Sequence, residues 1–224
     1  MLEWTLLKDA EAVARAASRR VQRAADAAIR QHGFFRLVLA GGGTPRLAYQ
    51  LLADSDSQWQ YWHLYFGDER CLPSGHPGRN SRMVYESRAG KVPIPAAQVH
   101  PIRAELGAEA AASEYQGLLQ AALPFQMVLL GLGEDGHTAS LFPGQQHPGG
   151  ELVLPVHDAP KPPPDRVSLS AGALAATEYL LFLVTGEGKR DAVRRWRANE
   201  PMPANTITSR GRAEVLIDRA AWPE

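Results

Sequence analysis

The stretch VLLGLGEDGHTASLFPG, from Val128 to Gly144, is where an apolar run turns into a glycine loop. Gly131, Gly133 and Gly136 spell G-x-G-x-x-G directly after Met127–Leu130, so the stretch reads as a buried strand followed by a tight turn, a unit of α/β folds. As a dinucleotide cradle it fails on three counts. Glu134 and Asp135 place negative charge where a pyrophosphate would lie. Pro143 breaks the helix that would have to follow. The fingerprint normally opens the first strand–helix unit, and here it lies deep in the chain. Glu151 is about the right distance on for a ribose contact, but HPGG rather than a strand precedes it. No nucleotide cofactor is expected.

The same residues suit acid–base chemistry. A histidine with an ordinary pKa of about 6.5 takes up and returns a proton near neutrality. His137 follows the loop, and Asp135 is placed to orient or polarise it. A histidine beside an acid is most often a surface pair. The flanking glycines and the strand-end position favour catalysis.

Working outward, Asp9 caps a helix running to about Gln31, with Gly33 as its stop. Strands are expected at FFRLVLA (34–40), WHLYF (62–66), FQMVLLGL (125–132), RVSLS (166–170), EYLLFLVT (178–185) and EVLIDR (214–219). In GGGTP, Thr44 reads as an N-cap and Pro45 as the first residue of a helix reaching about Ala53. Further helices are expected at 105–122 and from Gly188, and a long connection at 143–164 with one short strand, ELVLPV. Apolar strands alternating with helices predict an α/β fold, a mainly parallel sheet covered on both faces. Nothing reads as a linker, so residues 1–224 are expected to form a single domain.

Ligands of such sheets bind beyond the carboxyl ends of the strands. Four segments follow apolar strands and therefore converge there: GGGTP, GDER, GEDGH and TGEGK. In the first, Gly42 and Gly43 turn backbone N–H groups and a helix N-terminus toward an anion, or simply make an ordinary capped turn; Thr44 adds a hydroxyl. The second brings Asp68, a possible base, and Arg70, suited to a phosphate or a substrate oxygen. Lys189 stands at a helix start, a poor place for a cation unless an anion joins it. Arg166 begins a strand. The G-K-[ST] of a nucleotide triphosphate loop is absent.

The 24 basic and 24 acidic side chains cancel, leaving no electrostatic footprint for nucleic acid or an anionic membrane. Cys71 is the single cysteine, which excludes an internal disulfide and a cysteine-based zinc site. His63, His100, His147 and His157 lack ligand spacing, so no metal is expected. The N-terminal stretch carries charges throughout and does not read as a signal peptide, and no run approaches the roughly 18 apolar residues of a membrane span. A soluble protein of a reducing, cytoplasmic compartment is expected, as a monomer or weak homodimer. Ser140 lacks a G-x-S-x-G elbow, which argues against a serine hydrolase.

Taken in order, GGGTP, FGDERCLP, LLGLGEDGHTASLFPG, PKPPPDRVSLS, LFLVTGEGKRDAV and LIDRAA resemble the 6-phosphogluconolactonase family across nearly the whole chain. That resemblance implies an open sheet of modified Rossmann type, like those of glucosamine-6-phosphate deaminase and ribose-5-phosphate isomerase. It implies hydrolysis of a small phosphosugar lactone, 6-phosphoglucono-δ-lactone, without cofactor or metal. By position, it makes His137 the catalytic base and Asp135 its support, and puts Arg70 in the substrate site. Gly42, Gly43, Thr44, Lys189 and Arg166 would hold the 6-phosphate. Two departures stand out: Ala40 and Gly43 replace serines usual in the glycine loop, and Gly78-Arg79-Asn80-Ser81 replaces a usual D-S-N-Y. A deaminase or isomerase using Asp68 as base is the first alternative, although Phe142 stands where the deaminases carry a glutamate. A non-catalytic sugar-phosphate sensor is the second.

Overall fold

The structure is a computed structural model describing residues 2–87, 91–145 and 149–223; His147 lies outside them. Its strands are β1 (Leu2–Leu7), β2 (Phe35–Leu39), β3 (Trp62–Phe66), β4 (Asp68–Arg70), β5 (Val99–His100), β6 (Phe125–Gly131), β7 (Val153–Val156), β8 (Arg166–Leu169), β9 (Thr177–Val184) and β10 (Arg212–Asp218). The helices are α1 (Ala10–His32), α2 (Gly43–Ala53), α3 (Asn80–Glu86), α4 (Ala108–Gln120), α5 (Ala171–Ala175), α6 (Arg190–Arg197) and α7 (Pro203–Thr206).

Seven strands form one sheet in the order β1-β10-β9-β6-β2-β3-β5, every neighbouring pair parallel. The central strands carry the core. Phe125, Met127, Val128 and Leu129 of β6 have no exposed surface, nor do Leu180, Leu181 and Phe182 of β9. Each such side chain contributes roughly 1.5–3 kcal/mol by leaving water, which is why a strand buried on both faces reads as an unbroken apolar run. Helix α1 lies across β2, β6, β9 and β10 and packs on α2. Its ends are those expected. The Asp9 carboxylate accepts from the Ala12 N–H at 2.8 Å, and Gly33, at φ 81°, closes the last turn through its N–H to the Ile29 carbonyl.

The rest of the fold adds the short elements β5, α5 and α7, which the reading lacked, and departs from it in four further places. β1 adds an edge strand ahead of α1, beside β10. The segment 79–87, following the proline-rich loop, contains α3. GDER is a strand rather than a loop: β4 pairs antiparallel with β8, and β8 with β7, in a second, three-stranded sheet. Helix α4 packs against β7 and β8. Finally, Thr44 is not the N-cap of α2. The helix begins at Gly43, with Gly42 at φ 111° in the cap position and no side-chain cap. The glycine reaches that backbone region without a Cβ penalty, so the chain enters the helix earlier than the threonine suggests.

Gly67 joins the two sheets. Its N–H donates to the Leu39 carbonyl of β2 at 3.0 Å, and its own carbonyl accepts from the Leu169 N–H of β8 at 2.8 Å. Next to it, Glu69 is fully buried and serves structure: it accepts from the N–H groups of Asn80 and Ser81 at 2.7 and 2.8 Å, capping α3 from outside, and faces Arg79.

Candidate active site

Strands β9, β6, β2 and β3 are consecutive in the large sheet, so the segments that follow them meet at one edge, as the sequence implied. From β2 the chain crosses to β3 on one side, whereas β6 leads to β9 on the other. The boundary between β2 and β6 is therefore the topological switch point, where parallel sheets open a crevice. A cavity of about 350 Å³ lies there, with His137, Asp68, Arg70, Gly42, Arg166 and Lys189 among its walls. Asp135, Gly43 and Thr44 do not line it; Asp135 bonds the His137 ring, and Gly43 and Thr44 follow Gly42 in the chain.

His137 is held from several sides. Its backbone carbonyl accepts from the Gly133 N–H at 2.7 Å, its own N–H donates to Asp135 Oδ1 at 3.1 Å, and its Nδ1 lies 2.5 Å from the same oxygen. A carboxylate can only accept, so Nδ1 carries the hydrogen and Nε2 keeps its lone pair. The ring packs on Phe142, with centroids 4.7 Å apart. Burial lowers the imidazole pKa below its usual value, and Asp135 opposes that only in part. Desolvation pushes the Asp135 carboxyl up, but the hydrogen bonds from the backbone and ring of His137 outweigh it and hold the group below the usual range. The pair is thus a neutral imidazole beside an ionised carboxylate at neutral pH.

Asp68, 7% exposed, is fixed by neutral donors. Oδ1 accepts from Asn80 Nδ2 at 2.9 Å and Oδ2 from the Ser140 hydroxyl at 2.7 Å. Asn80 also donates to the Asp68 carbonyl at 3.0 Å and presses against Gly41, where a Cβ would collide with its Oδ1. The Tyr49 hydroxyl accepts from the Ala40 N–H and donates to the Ala40 carbonyl, pinning the entry to the glycine loop.

Two arginines face the cavity from the small sheet. Arg70 and Arg166 are directly opposed in the β4–β8 ladder, a like-charge placement that ordinarily destabilises. Arg70 donates to the Gly78 carbonyl at 2.8 Å. Arg166, 5% exposed, donates to the carbonyls of Lys161 at 2.7 Å and Pro163 at 3.2 Å. Among the described residues neither guanidinium has a carboxylate within 4 Å. Burial, then the neighbouring Arg70, lowers the pKa of Arg166. Lys189 is half-buried and likewise without an ion pair among the described residues; desolvation pulls its pKa down. Cationic groups that outnumber the carboxylates of one crevice and form no ion pair there suit an anion.

The expected hydroxyl of Thr44 is engaged elsewhere: its Oγ1 lies 2.6 Å from Thr185 Oγ1, tying the segment after β2 to that after β9. Gly42 and Gly43 are exposed at the start of α2, where the first N–H groups of a helix have no partner within it. The sequence reading did not single out Asn80 as a partner of Asp68, nor Lys161, which lines the cavity. The prolines around Lys161 were the available signal for the latter. Burial pushes the Cys71 thiol up to about 11, so it stays protonated and is no nucleophile at neutral pH. No group of three His, Cys, Asp or Glu able to hold a metal occurs among the described residues, and none of the described helices is long and apolar enough to cross a membrane.

Residues 8–217 match the family model described as glucosamine-6-phosphate isomerases/6-phosphogluconolactonase. A 6-phosphogluconolactonase of Streptomyces coelicolor is 36% identical, over 96% of this chain and 91% of its own. The 6-phosphogluconolactonase 3, chloroplastic, of Arabidopsis thaliana is 31% identical over 86% of this chain, which spans only 66% of that relative's length. The solved structure of a 6-phosphogluconolactonase from Thermotoga maritima superposes with a TM-score of 0.91 at 26% identity, covering 98% of this chain and 100% of the other.

Proposed function

Because the chain belongs to the family of glucosamine-6-phosphate isomerases and 6-phosphogluconolactonases, we propose that it hydrolyses 6-phospho-D-glucono-1,5-lactone to 6-phospho-D-gluconate. The observation that carries this reading is a neutral, carboxylate-oriented imidazole in the same cavity as four cations, Arg70, Arg166, Lys189 and Lys161, that make no ion pair among the described residues.

In the mechanism, His137 Nε2 takes a proton from water, and the hydroxide so formed adds to the lactone carbonyl carbon. Asp135 steadies the resulting imidazolium through Nδ1. As the tetrahedral intermediate collapses, the bond from carbon to ring oxygen breaks. The imidazolium then returns its proton to that oxygen, which leaves as a hydroxyl. The new carboxylic acid ionises, so each turnover releases one proton. Lys189, Arg166 and the amides of Gly42 and Gly43 hold the phosphate, with Thr44 bracing their loop through Thr185. Arg70 faces the sugar. Gripping the far end of the substrate fixes the carbonyl against the base, which accounts for several kcal/mol of barrier reduction. Asp68, with both oxygens occupied, aligns the crevice instead of abstracting a proton. No step calls for a metal or cofactor, and one cytoplasmic domain acting as a monomer or weak homodimer suffices.

The deaminase reading is less well supported, since Phe142 lies against His137 where a second carboxylate would be needed. Generating the lactone in situ, subtracting its spontaneous opening and following acid release tests the proposal. Turnover at the spontaneous rate, or ammonia release from glucosamine 6-phosphate, would overturn it.

A further inference from the structure

The segment Pro160-Lys161-Pro162-Pro163-Pro164 runs past the mouth of the cavity, and Lys161 is its one residue other than proline. Each proline ring fixes its own φ, so the strap loses little freedom when it is ordered. Its lower ends are tied together: the Ala159 N–H donates to the Pro164 carbonyl at 3.0 Å, and His157 Nδ1 lies 2.7 Å from Asp165 Oδ1. Its crown is held from beneath by the Arg166 guanidinium, which reaches the carbonyls of Lys161, Pro162 and Pro163. The backbone of Lys161 is therefore placed by one of the residues assigned to the phosphate. Its ammonium group has no ion pair among the described residues, yet its side chain forms part of the cavity wall. The charge of Lys161 acts on both His137 and Lys189, helping burial to lower the pKa of each.

We propose that Lys161 is a specificity-determining cation of this site, carried on a rigid proline strap and contacting the phosphate of the substrate from the side opposite the glycine loop. Arg166 is then a positioning residue as well as a phosphate ligand, because its Nε and one amino group support the strap. The proposal rests on the phosphosugar-lactonase reading and sharpens it: selection of a phosphorylated over an unphosphorylated lactone depends on a side chain at the rim.

Binding separates the proposal from the reading it rests on. Calorimetric titration of the wild type, Lys161→Ala and Lys161→Arg with 6-phosphogluconate and with gluconate is expected to show about tenfold or more weakening for the alanine variant toward the phosphorylated acid only. The arginine variant should keep most of the affinity. With the lactone, Lys161→Ala should lower kcat/KM by about tenfold or more, the larger part of the loss falling on KM. Equal binding of 6-phosphogluconate by wild type and alanine variant overturns the proposal. So does a variant whose KM holds while the acid limb of its pH profile moves, since Lys161 would then act on His137 alone. A wild type that binds 6-phosphogluconate through Lys161 but fails to open the lactone sinks the catalytic reading and leaves the phosphate assignment standing.

Discussion

Gly133 and His137 exclude one another's alternatives: a Cβ on Gly133 would overlap His137 Nδ1 and Asp135 Oδ1. Gly133→Ala must therefore push the imidazole out of its hydrogen bond with Asp135 while leaving the core beneath untouched. A loss of about 10²-fold in kcat is expected, with an unchanged far-UV circular dichroism spectrum. Normal turnover in this variant would mean that the His137–Asp135 geometry is dispensable.

Replacing His137 by Ala or Asn should cost roughly 10²-fold or more in kcat. In the proposed mechanism the base acts when neutral, and burial holds the His137 pKa below the ordinary histidine value. Activity is therefore retained above that lowered pKa and lost as the pH falls through it, placing the acid limb of kcat/KM below about 6.5. Asp135→Asn removes the influence that raises the imidazole pKa, so its limb should lie further toward acid, on top of a lower rate. A limb moving toward alkaline pH would contradict the assignment.

Asn80→Ala takes a donor from the buried Asp68 and opens space beside Gly41. Leaving that carboxylate oxygen unpaired should cost about 1–3 kcal/mol of stability, read from urea denaturation, and should raise KM through the shifted Arg70 backbone. A variant as stable as the wild type would show that Asp68 finds its donors elsewhere.

At the opposite end of β9 and β10, Glu214 is fully buried and accepts from Arg20 at 2.7 Å, from Thr5 and from the Tyr179 hydroxyl. Glu214→Ala strands that arginine and phenol. An expected loss of about 2–4 kcal/mol is near the range for breaking a buried pair, reduced because Arg20 stays partly solvated. Because the network lies far along the strands from the crevice, KM should not move. An altered KM with intact stability would reverse this division.

His157 bridges Asp165 and Glu109, with each ring nitrogen 2.7 Å from a carboxylate oxygen. Both nitrogens must donate, so the imidazolium is favoured and its pKa is raised, first by Asp165 and then, against desolvation, by Glu109. The stabilisation is fully present below the unfolded value of about 6.5 and is lost as pH rises through the higher folded one. An NMR titration of the ring should show a midpoint above 6.5, which His157 would lose in Asp165→Asn.

The four central strands were legible because burial on both faces demands uninterrupted apolar residues, and Asp9 and Gly33 declared the ends of α1 through local chemistry. The pairing of β4 with β8 was not legible. Three residues, Asp68 to Arg70, are all polar, two for the crevice and Glu69 for α3, and offer no periodicity, and their partner lies about a hundred residues away. The hold of Ser140 on Asp68 spans 72 residues and that of Asn80 spans 12 across a loop without periodicity, so neither shows in a local pattern. Thr44 misled for a different reason: threonine before proline is a good local cap, but the glycines ahead of it already supplied the turn, and its hydroxyl found Thr185 across the crevice. Residues 40–44, 137 and 189 were placed at one edge by strand order alone, whereas Lys161 depends on a strap whose path no local pattern dictates.

The double attachment of Gly67 has a mechanical consequence. One set of the groups proposed to face the substrate (Arg70, Arg166, Lys161) rides on the three-stranded sheet, and the other (His137, Lys189, the glycine turn) on the seven-stranded one, yet a single residue, Gly67, is bonded to both through its own N–H and carbonyl. The jaws of this vice are set at a fixed gap when the chain folds. On the proposed reading, docking needs no costly closure, and the free energy of grasping the phosphate remains for holding the carbonyl in line with its base.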